Sequence, residues 1–455
     1  MRRMRALLSY SIAAAMLAGT AACSVETEDS SQIDVWIGFT DYRLDWAKEK
    51  AKAFEEAHSD YTVNVKGYDS YEVLFDKVVA ASEQGETPTI VQNFEAATQE
   101  SRDAVTPEGD PLFTSVEDAI DGRSEILGEK VVLDDVVDSA RNYYTIDGEF
   151  SSMPWNTSTP IFYSNKQIMD KAGIDEAPAT WEDLAEACDK VMALDDAPKN
   201  CVSWPNQAWF PEQVLAEQGA MLADNENGRD GRAENIDLTS DEWMSWIKYW
   251  KELNDDGHYY YSGLQEDWDG PKNAFGSQEV AFLSTSSGDG TAVVTGAEEA
   301  GFDVEVSPYP AYADQKNHGN IIGGATLWLA NGLEDETQDG ALAFMQFLNN
   351  PENAADWHKT TGYVPITDSA VELLEKEGWF EENPYQKVAT EQLERSENSP
   401  AVAGVLIGSF VAIRAEVTQA IEDILTSGAD PEERFAEAEK KSQSLLDDYN
   451  SLYSE

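Results

Sequence analysis

The run DVWIGF (34–39) is followed by YTVNVKGY (61–68) and PTIVQNF (88–94), and each has the length and the apolar or alternating character of a β-strand. Between these runs stand DYRLDWAKEKAKAFEEAH (41–58), whose apolar residues recur at helical spacing, and YEVLFDKVVAASEQ (71–84). Strands that alternate with helices at this spacing predict a mostly parallel sheet with helices on its faces. The sequence therefore predicts an α/β fold.

Further along the chain, the pattern predicts a second α/β lobe and a helical C-terminal region. SSMPWNTSTPIFYSNK (151–166) is extended, and EVAFLSTSSGDG (279–290) and IIGGATLWLANG (321–332) are typical of strands that run into small-residue turns. The chain beyond these strands reads almost entirely as helices. Thr180 fits the N-cap of one earlier helix, with an acidic residue three positions on.

Two segments, near 154–160 and near 280–290, are expected to cross between the lobes. The sequence accordingly predicts the following division of the chain: lobe I from 33–155 and 285–325, and lobe II from 156–284 and 326–455. Lobes that are joined by more than one segment form a hinge, and the cleft between them is a natural ligand site.

The chain is strongly acidic throughout its length. Its 455 residues contain 31 Lys and Arg but 87 Asp and Glu, which gives a net charge of −56. This balance argues against nucleic-acid binding, which needs clustered basic residues to contact phosphates. Salt screens the self-repulsion of such a charge, so we expect a protein adapted to strong brine. The alternative is an ordinary acidic secreted protein.

The first 22 residues have the pattern of a signal peptide. Arg2, Arg3 and Arg5 precede the apolar segment 7–19, which is too short to span a bilayer comfortably. The following Thr-Ala-Ala-Cys resembles a bacterial lipobox, which implies cleavage before Cys23 and a lipid on that residue. Residues 23–32 then read as a polar tether. The alternative is plain cleavage near Ala22, which would leave a periplasmic or secreted protein without a lipid anchor.

The remaining cysteines, Cys188 and Cys201, are close in sequence, and in an oxidising compartment they can form a disulfide. Two buried free thiols are the alternative. Without a supporting histidine pair, they do not predict a zinc site. The sequence lacks the common hydrolase, metalloprotease and nucleotide-binding signatures, so it predicts neither an enzyme nor a bound cofactor or metal.

Three features stand out as candidates for anion binding. Arg414 lies in the neutral, apolar stretch GVLIGSFVAIRAEV, where a guanidinium requires an anionic partner. That partner is a ligand or, alternatively, an internal carboxylate such as Glu416 or a distant acid. Gly323 and Gly324 weaken a strand unless a ligand or another backbone approaches closely. The turn at Ser286 offers hydroxyls and amides that suit an anion, or is a plain strand-end turn.

Several long motifs resemble the sn-glycerol-3-phosphate-binding proteins of ABC importers. They are MPWNTSTPIFYSNK, the TSSG turn, IIGGATLWLANG, PENAADWHKTTGYVPIT, EGWFEENP, the Arg414 helix and PEERFAEAEKK, and the likeness runs from about residue 34 to the C-terminus. The resemblance implies a two-lobed solute-binding protein of the maltose-binding type, with a hinge and an inter-lobe cleft.

The resemblance also implies a set of ligand contacts. They fall on Tyr71, Glu95, Ser158, Ser286, Gly324, Tyr363 and Arg414. A guanidinium and several hydroxyl groups suit a phosphate, and a carboxylate can accept hydrogen bonds from glycerol hydroxyls. Trp181 is implied as the aromatic residue near the glycerol, or alternatively packs in the core at the start of its helix. The acidic loop 224–237 departs from the family and is expected to leave room at the rim for a larger ligand.

The sequence therefore predicts a lipid-anchored, monomeric importer subunit outside the cell membrane. Its expected partners are glycerol 3-phosphate or a glycerophosphodiester such as glycerophosphocholine, and the permease. An oligosaccharide-binding subunit of the same type is the first alternative, since the chain has 13 Trp residues that suit stacking on sugars. A secreted hydrolase and a passive surface protein are the remaining alternatives.

Overall fold

A computed structural model describes residues 32–453. The β-strands, in chain order, are β1 (Gln32–Ile37), β2 (Thr62–Gly67), β3 (Ile90–Phe94), β4 (Phe113–Thr114), β5 (Glu125–Ile126), β6 (Glu129–Lys130), β7 (Thr145–Ile146), β8 (Glu149–Phe150), β9 (Met153–Ser158), β10 (Pro160–Asn165), β11 (Val202–Ser203), β12 (Phe282–Ser286), β13 (Val304–Pro308) and β14 (Gly323–Ala330). The predicted signal peptide, Cys23 and nearly all of the tether lie outside the described residues.

Helices account for most of the remaining chain. The α-helices are α1 (Tyr42–Ala57), α2 (Tyr71–Ser82), α3 (Thr98–Asp103), α4 (Val116–Ile120), α5 (Asp138–Tyr144), α6 (Lys166–Ala172), α7 (Trp181–Met192), α8 (Trp209–Glu217), α9 (Asp224–Gly228), α10 (Asp241–Asp255), α11 (Asp269–Gly276), α12 (Gly290–Glu299), α13 (Asp335–Leu348), α14 (Pro351–Thr361), α15 (Asp368–Lys376), α16 (Trp379–Glu382), α17 (Lys387–Glu394), α18 (Pro400–Ala403), α19 (Phe410–Ser427) and α20 (Pro431–Leu452). Short 3-10 turns occupy Glu95–Ala97, Leu133–Asp135, Ser287–Asp289 and Pro384–Gln386. The predicted helical C-terminal region is confirmed.

Lobe I is built on a six-stranded sheet with the order β2-β1-β3-β14-β4, and β9 also pairs with β14. β1 runs parallel to both β2 and β3, as the alternation of strands and helices predicts. β14 is antiparallel to β3, β4 and β9, so the sheet as a whole is mixed. Its strands are apolar on the faces that α1 and α13 cover, with Ile33, Val35 and Leu327 buried.

Lobe II is built on a four-stranded sheet with the order β11-β12-β10-β13. β10 is antiparallel to β12 and β13, and β11 is parallel to β12. Helices α8, α10, α19 and α20 pack on one another in this lobe. Thr180 caps α7 by accepting a hydrogen bond from the Asp183 amide at 3.0 Å, as predicted. Cys188 in α7 and Cys201 are joined by a disulfide with a Cα–Cα distance of 5.3 Å.

The predicted division of the chain between the lobes is wrong after residue 284. β13, assigned by sequence to lobe I, pairs with β10 in the lobe II sheet. α13, assigned to lobe II, packs on β1 and β14 in lobe I. The chain passes from the first sheet to the second between Ser158 and Pro160. It returns between β13 and β14 rather than near 280–290, and a further crossing leads to α19. Sheet partners depend on long-range register, which the order of strands along the chain does not reveal.

Across residues 32–453, no helix has the length and hydropathy that crossing a membrane requires. Within the same residues, no group of His, Cys, Asp and Glu side chains is arranged to hold a metal ion.

Candidate ligand-binding site

A cleft of about 260 Å³ lies between the two lobes, at the carboxyl ends of several strands. All seven side chains or backbone positions predicted as ligand contacts line it: Tyr71, Glu95, Ser158, Ser286, Gly324, Tyr363 and Arg414. Lobe I supplies five of them, while Ser286 and Arg414 come from β12 and α19 of lobe II. A ligand held by this set would contact both lobes, which favours a closed arrangement.

Strand pairing brings the small polar positions together at the first crossing. Gly323 pairs with Ser158 across β14 and β9, and Ser286 pairs with Pro160 across β12 and β10. Ser158 and Ser286 therefore lie on either side of the point where the chain changes lobe. Gly324 has a φ of +104°, and a Cβ at this position would lie 1.9 Å from the Asn156 carbonyl oxygen. The close approach that requires glycine here is that of the neighbouring strand.

Two tyrosine hydroxyls meet in the wall of the cleft. The hydroxyl oxygens of Tyr71 and Tyr363 lie 3.3 Å apart, and the Asn156 side-chain amide donates a 2.8 Å hydrogen bond to Tyr71. Phe94 stacks on Tyr71, and Trp357 stacks on Tyr363, so both phenol rings are held in place. Burial raises the pKa of each tyrosine, which keeps both hydroxyls neutral.

The turn after β12 is packed directly against Tyr363. The Gly288 amide donates a 3.1 Å hydrogen bond to the Ser286 hydroxyl oxygen. A Cβ on Gly288 would lie only 2.6 Å from the Tyr363 ring, so a larger residue would displace the ring from the cleft. Ser286 and Tyr363 are therefore linked through Gly288, and both line the cleft.

Arg414 lines the cleft and is also held by two carboxylates of the protein. Its Nε and Nη2 atoms donate to the two oxygens of Glu212 at 2.8 and 2.7 Å, and Nη1 donates to Glu95 at 2.7 Å. Arg414 is 4% exposed, and Glu95 and Glu212 are 5% exposed each. The alternative of a distant internal carboxylate is therefore confirmed, while a ligand as a further partner of Arg414 stays a prediction. Glu416, which was suggested as the internal partner, pairs with Arg434 instead.

The guanidinium has five N–H donors, and the two carboxylates take three of them. Burial raises the pKa of Glu95 and of Glu212, and the charge of Arg414 only partly offsets this effect. For Arg414, burial alone would lower the pKa, but the two carboxylates outweigh it and the pKa rises above its usual value. The arginine stays charged, lines the cleft, and has two N–H donors that these carboxylates do not take.

Two further ion pairs lie in the cleft, and sequence analysis did not find them. Arg43 at the start of α1 pairs with Asp41 at 2.7 Å and lies over the Phe39 ring. Lys272 in α11 pairs with Asp289 at 3.2 Å, and the charges of Arg43 and Asp289 are close enough to interact across the lobes. Their positions in the sequence could have indicated these residues: Asp289 follows the Ser286 turn directly, and Arg43 lies just beyond the end of β1.

Trp209 and Trp268 are the tryptophans that line the cleft in the described part of the chain. Their ring centroids are 6.2 Å apart, and the Trp209 indole donates to the Ile322 carbonyl at 3.2 Å. The implied role of Trp181 near the glycerol is wrong, because Trp181 is fully buried among the aromatic rings of the lobe II core, 4.5 Å from Trp246. Trp181 and Trp209 each stand at the first position of a helix, so the local sequence does not distinguish the core residue from the cleft residue.

The acidic loop 224–237 is also not at the cleft. Arg232 of this loop forms two 2.8 Å hydrogen bonds with Asp103, and Arg229 donates to the Gly404 carbonyl. The loop thus links α3 and the segment before α19, and the expectation that it enlarges the rim for ligand is wrong.

Two α/β lobes around a cleft to which both contribute define a class of solute-binding proteins, and residues 49–387 match the model of the bacterial extracellular solute-binding protein family. The chain belongs to this family, whose members serve ABC importers. It is 31% identical to the sn-glycerol-3-phosphate-binding periplasmic protein UgpB of Yersinia enterocolitica over 403 residues, which cover 87% of this chain and 88% of the relative. The UgpB of Salmonella typhimurium is 30% identical, with the same coverage. The predicted resemblance is confirmed.

Solved structures share the fold. UgpB from Mycobacterium tuberculosis in complex with glycerophosphocholine superposes with a TM-score of 0.75 at 22% identity, over 91% of this chain and 98% of that one. The GacH receptor of Streptomyces glaucescens, solved unliganded and with acarbose, superposes with a TM-score of 0.74 at 18% identity, over 92% and 99%. At these identities the superpositions confirm the predicted two-lobed fold.

Proposed function

We propose that this protein is the extracytoplasmic solute-binding subunit of an ABC importer that captures sn-glycerol 3-phosphate or a glycerophosphodiester and delivers it to the permease. The observation that carries the proposal is the convergence of the seven predicted contacts on one inter-lobe cleft. Relatives about 30% identical are named for binding sn-glycerol 3-phosphate, which supports a glycerol phosphate as the ligand.

The chemistry of the cleft suits such a ligand. The hydroxyls of Ser158, Ser286 and Tyr363 can donate hydrogen bonds to phosphate oxygens, and Arg414 has donors left that are not used by Glu95 or Glu212. Glu95 keeps acceptor capacity for the hydroxyls of a glycerol. Ligand binding and release require no bond to be made or broken, and we assign no catalytic role to any residue and no metal or cofactor to the site.

For the mature protein, we propose a monomer attached to the outer face of the cell membrane by a lipid on Cys23. If this cysteine is not lipidated, the protein is periplasmic or secreted. The permease subunits are then its expected partners, and the membrane is contacted through the anchor alone.

A second candidate is an oligosaccharide ligand, and one observation favours it. Trp209 and Trp268 both line the cleft, and tryptophan rings offer flat apolar faces on which sugar rings stack. Receptors of this fold have been solved with acarbose and with maltose. Against this candidate, the relatives of about 30% identity are named for binding sn-glycerol 3-phosphate rather than a sugar.

Calorimetric titration decides between the candidates. The full-length mature protein is titrated in high salt with glycerol 3-phosphate, glycerophosphocholine and maltose, at one protein concentration. The proposal expects one-to-one binding of at least one phosphate ester and none of maltose. Binding of maltose alone would establish the second candidate, and hydrolysis of a phosphate ester, followed by phosphorus NMR, would contradict a purely binding role.

A further inference from the structure

Glu212 is a buried carboxylate that touches the cleft only through Arg414. Both of its oxygens accept from one edge of the guanidinium, at 2.8 and 2.7 Å, and its side chain is not among those that line the cleft. It fixes the plane of the guanidinium, because a bidentate pair has a single geometry. It also places a negative charge directly behind the cation that faces the ligand.

The positive charge of Arg414 is therefore smaller than the combined negative charge of its two carboxylate partners. Glu95, Arg414 and Glu212 together carry a net charge of −1 when both carboxyls are ionised. The other two cations that line the cleft in the described chain, Arg43 and Lys272, are paired with Asp41 and Asp289. Each cation that a phosphate could meet here is therefore already neutralised by a carboxylate.

The rest of the lining adds negative charge. Glu72 at the start of α2 lies in the cleft wall, and its charge interacts with that of Glu266 from lobe II. Burial, and to a lesser degree this repulsion, raises the pKa of Glu266 to about 7. An incoming dianion would meet this field, whereas a ligand with one negative charge, or with a balancing positive charge, would meet less of it.

We propose that Glu212 is a specificity-determining residue that makes the cleft select singly charged phosphodiesters over doubly charged phosphomonoesters. This inference rests on the proposed function, since it presupposes a phosphate ligand. A phosphomonoester has a second pKa near 6 and is mostly a dianion at about pH 7.5, while a diester stays a monoanion. The preferred class is then a glycerophosphodiester, and a cationic head group on it would further suit the acidic wall.

The test compares two ligands on three proteins. Wild type, Glu212→Gln and Glu217→Gln are titrated with glycerol 3-phosphate and with glycerophosphocholine at about pH 7.5 and a fixed, moderate salt concentration, because salt screens the effect. Glu217 is the control for replacing a buried carboxyl group on the same helix: it is hydrogen-bonded to Asn320 rather than to Arg414, and burial raises its pKa well above the usual value, so its replacement leaves the charge next to Arg414 unchanged. The quantity measured is the ratio of the two dissociation constants.

We expect wild type to prefer the diester, and Glu212→Gln to shift the ratio toward the monoester by roughly ten- to fifty-fold, the effect of one charge a few ångströms beyond the guanidinium. Glu217→Gln should leave the ratio within about twofold of wild type. If Glu212→Gln leaves the ratio unchanged, or if both variants shift it equally, the inference is overturned. If wild type binds neither ester, the proposed function fails instead.

If Glu212→Gln does not fold, a pH series on wild type tests the inference instead. As the pH falls from about 8 to about 5.5, the monoester takes up its second proton and becomes a monoanion. Its affinity relative to that of the diester should therefore rise. A constant ratio across this range would overturn the inference.

Discussion

Replacing Arg414 with alanine removes the guanidinium that neutralises Glu95 and Glu212. The two carboxyl groups are 5% exposed each, so water cannot take the place of the lost hydrogen bonds without rearrangement. Removing one partner of a buried ion pair typically costs 3–5 kcal/mol, because the remaining charge is left without compensation. We therefore expect the ligand-free variant to lose about 3–5 kcal/mol of unfolding free energy near pH 7.5.

The loss should depend on pH in a definite direction. Without Arg414, burial raises the pKa of both carboxyls further, and a group whose folded pKa is raised contributes stability at low pH that is lost as the pH rises through that pKa. Protonation removes the uncompensated charge at about 1.4 kcal/mol per pH unit for each group. The difference between variant and wild type should thus be largest above about pH 7 and should shrink toward pH 5.

The assay measures two quantities on each protein: the melting temperature without ligand across pH, and the affinity of the folded protein for glycerophosphocholine. Arg434→Ala is the matched control, because Arg434 also pairs with two carboxylates, Glu416 at 2.9 Å and Asp423 at 2.7 Å, but does not line the cleft. Arg434→Ala should lower stability and leave affinity unchanged, whereas Arg414→Ala should lower both. An Arg414→Ala protein with wild-type melting at pH 7.5 would refute the argument from buried pairing, and one with wild-type affinity would remove Arg414 from the ligand site.

Three further outcomes are expected. His358 is fully buried, its Nδ1 lies 2.7 Å from the Tyr363 carbonyl oxygen, and burial lowers its pKa to about 4. A histidine whose pKa is lowered on folding costs stability as the pH falls, so His358 should contribute a loss of about 3 kcal/mol between pH 6.5 and 4. Thermal unfolding of His358→Gln should therefore show a smaller loss than wild type over this range. If the net charge of −56 is an adaptation to brine, the melting temperature should rise between about 0.1 and 2 M salt, and a flat or falling curve would contradict this. Small-angle scattering should show a more compact particle when a ligand that bridges the lobes is added, and an unchanged size with a tightly bound ligand would count against a hinge.

The seven positions were predicted as ligand contacts from the resemblance, and Ser286, Gly324 and Arg414 were also singled out by local sequence patterns. Ser158 and Ser286 end strands, Gly324 lies inside one, and Arg414 is a lone cation in an apolar helix, so the signals are short-range. All seven positions line one cleft because the cleft lies between the two α/β lobes and both lobes contribute to its wall. The partner of Arg414 was not predictable in the same way, because Glu212 is 202 residues away and meets it only through the packing of lobe II.

The lobe assignment failed for a related reason. β13 is formed by VEVSP, whose composition is typical of a strand. Composition does not indicate that this strand pairs with β10 rather than with a strand of the first sheet. Trp181 and Trp209 likewise differ in which helix face meets the cleft, and that depends on how α7 and α8 pack on their neighbours. Local propensity predicts elements, while long-range packing selects their partners.

The position of phosphorus in a crystal structure tests the central claim most directly. Crystals are grown with glycerophosphocholine and maltose both present in excess, so that the cleft selects its ligand. The account predicts a phosphate group within hydrogen-bond distance of the Ser158, Ser286 and Tyr363 hydroxyls, between the two lobes. A sugar stacked on Trp209 and Trp268, with no phosphate beside those hydroxyls, would contradict it.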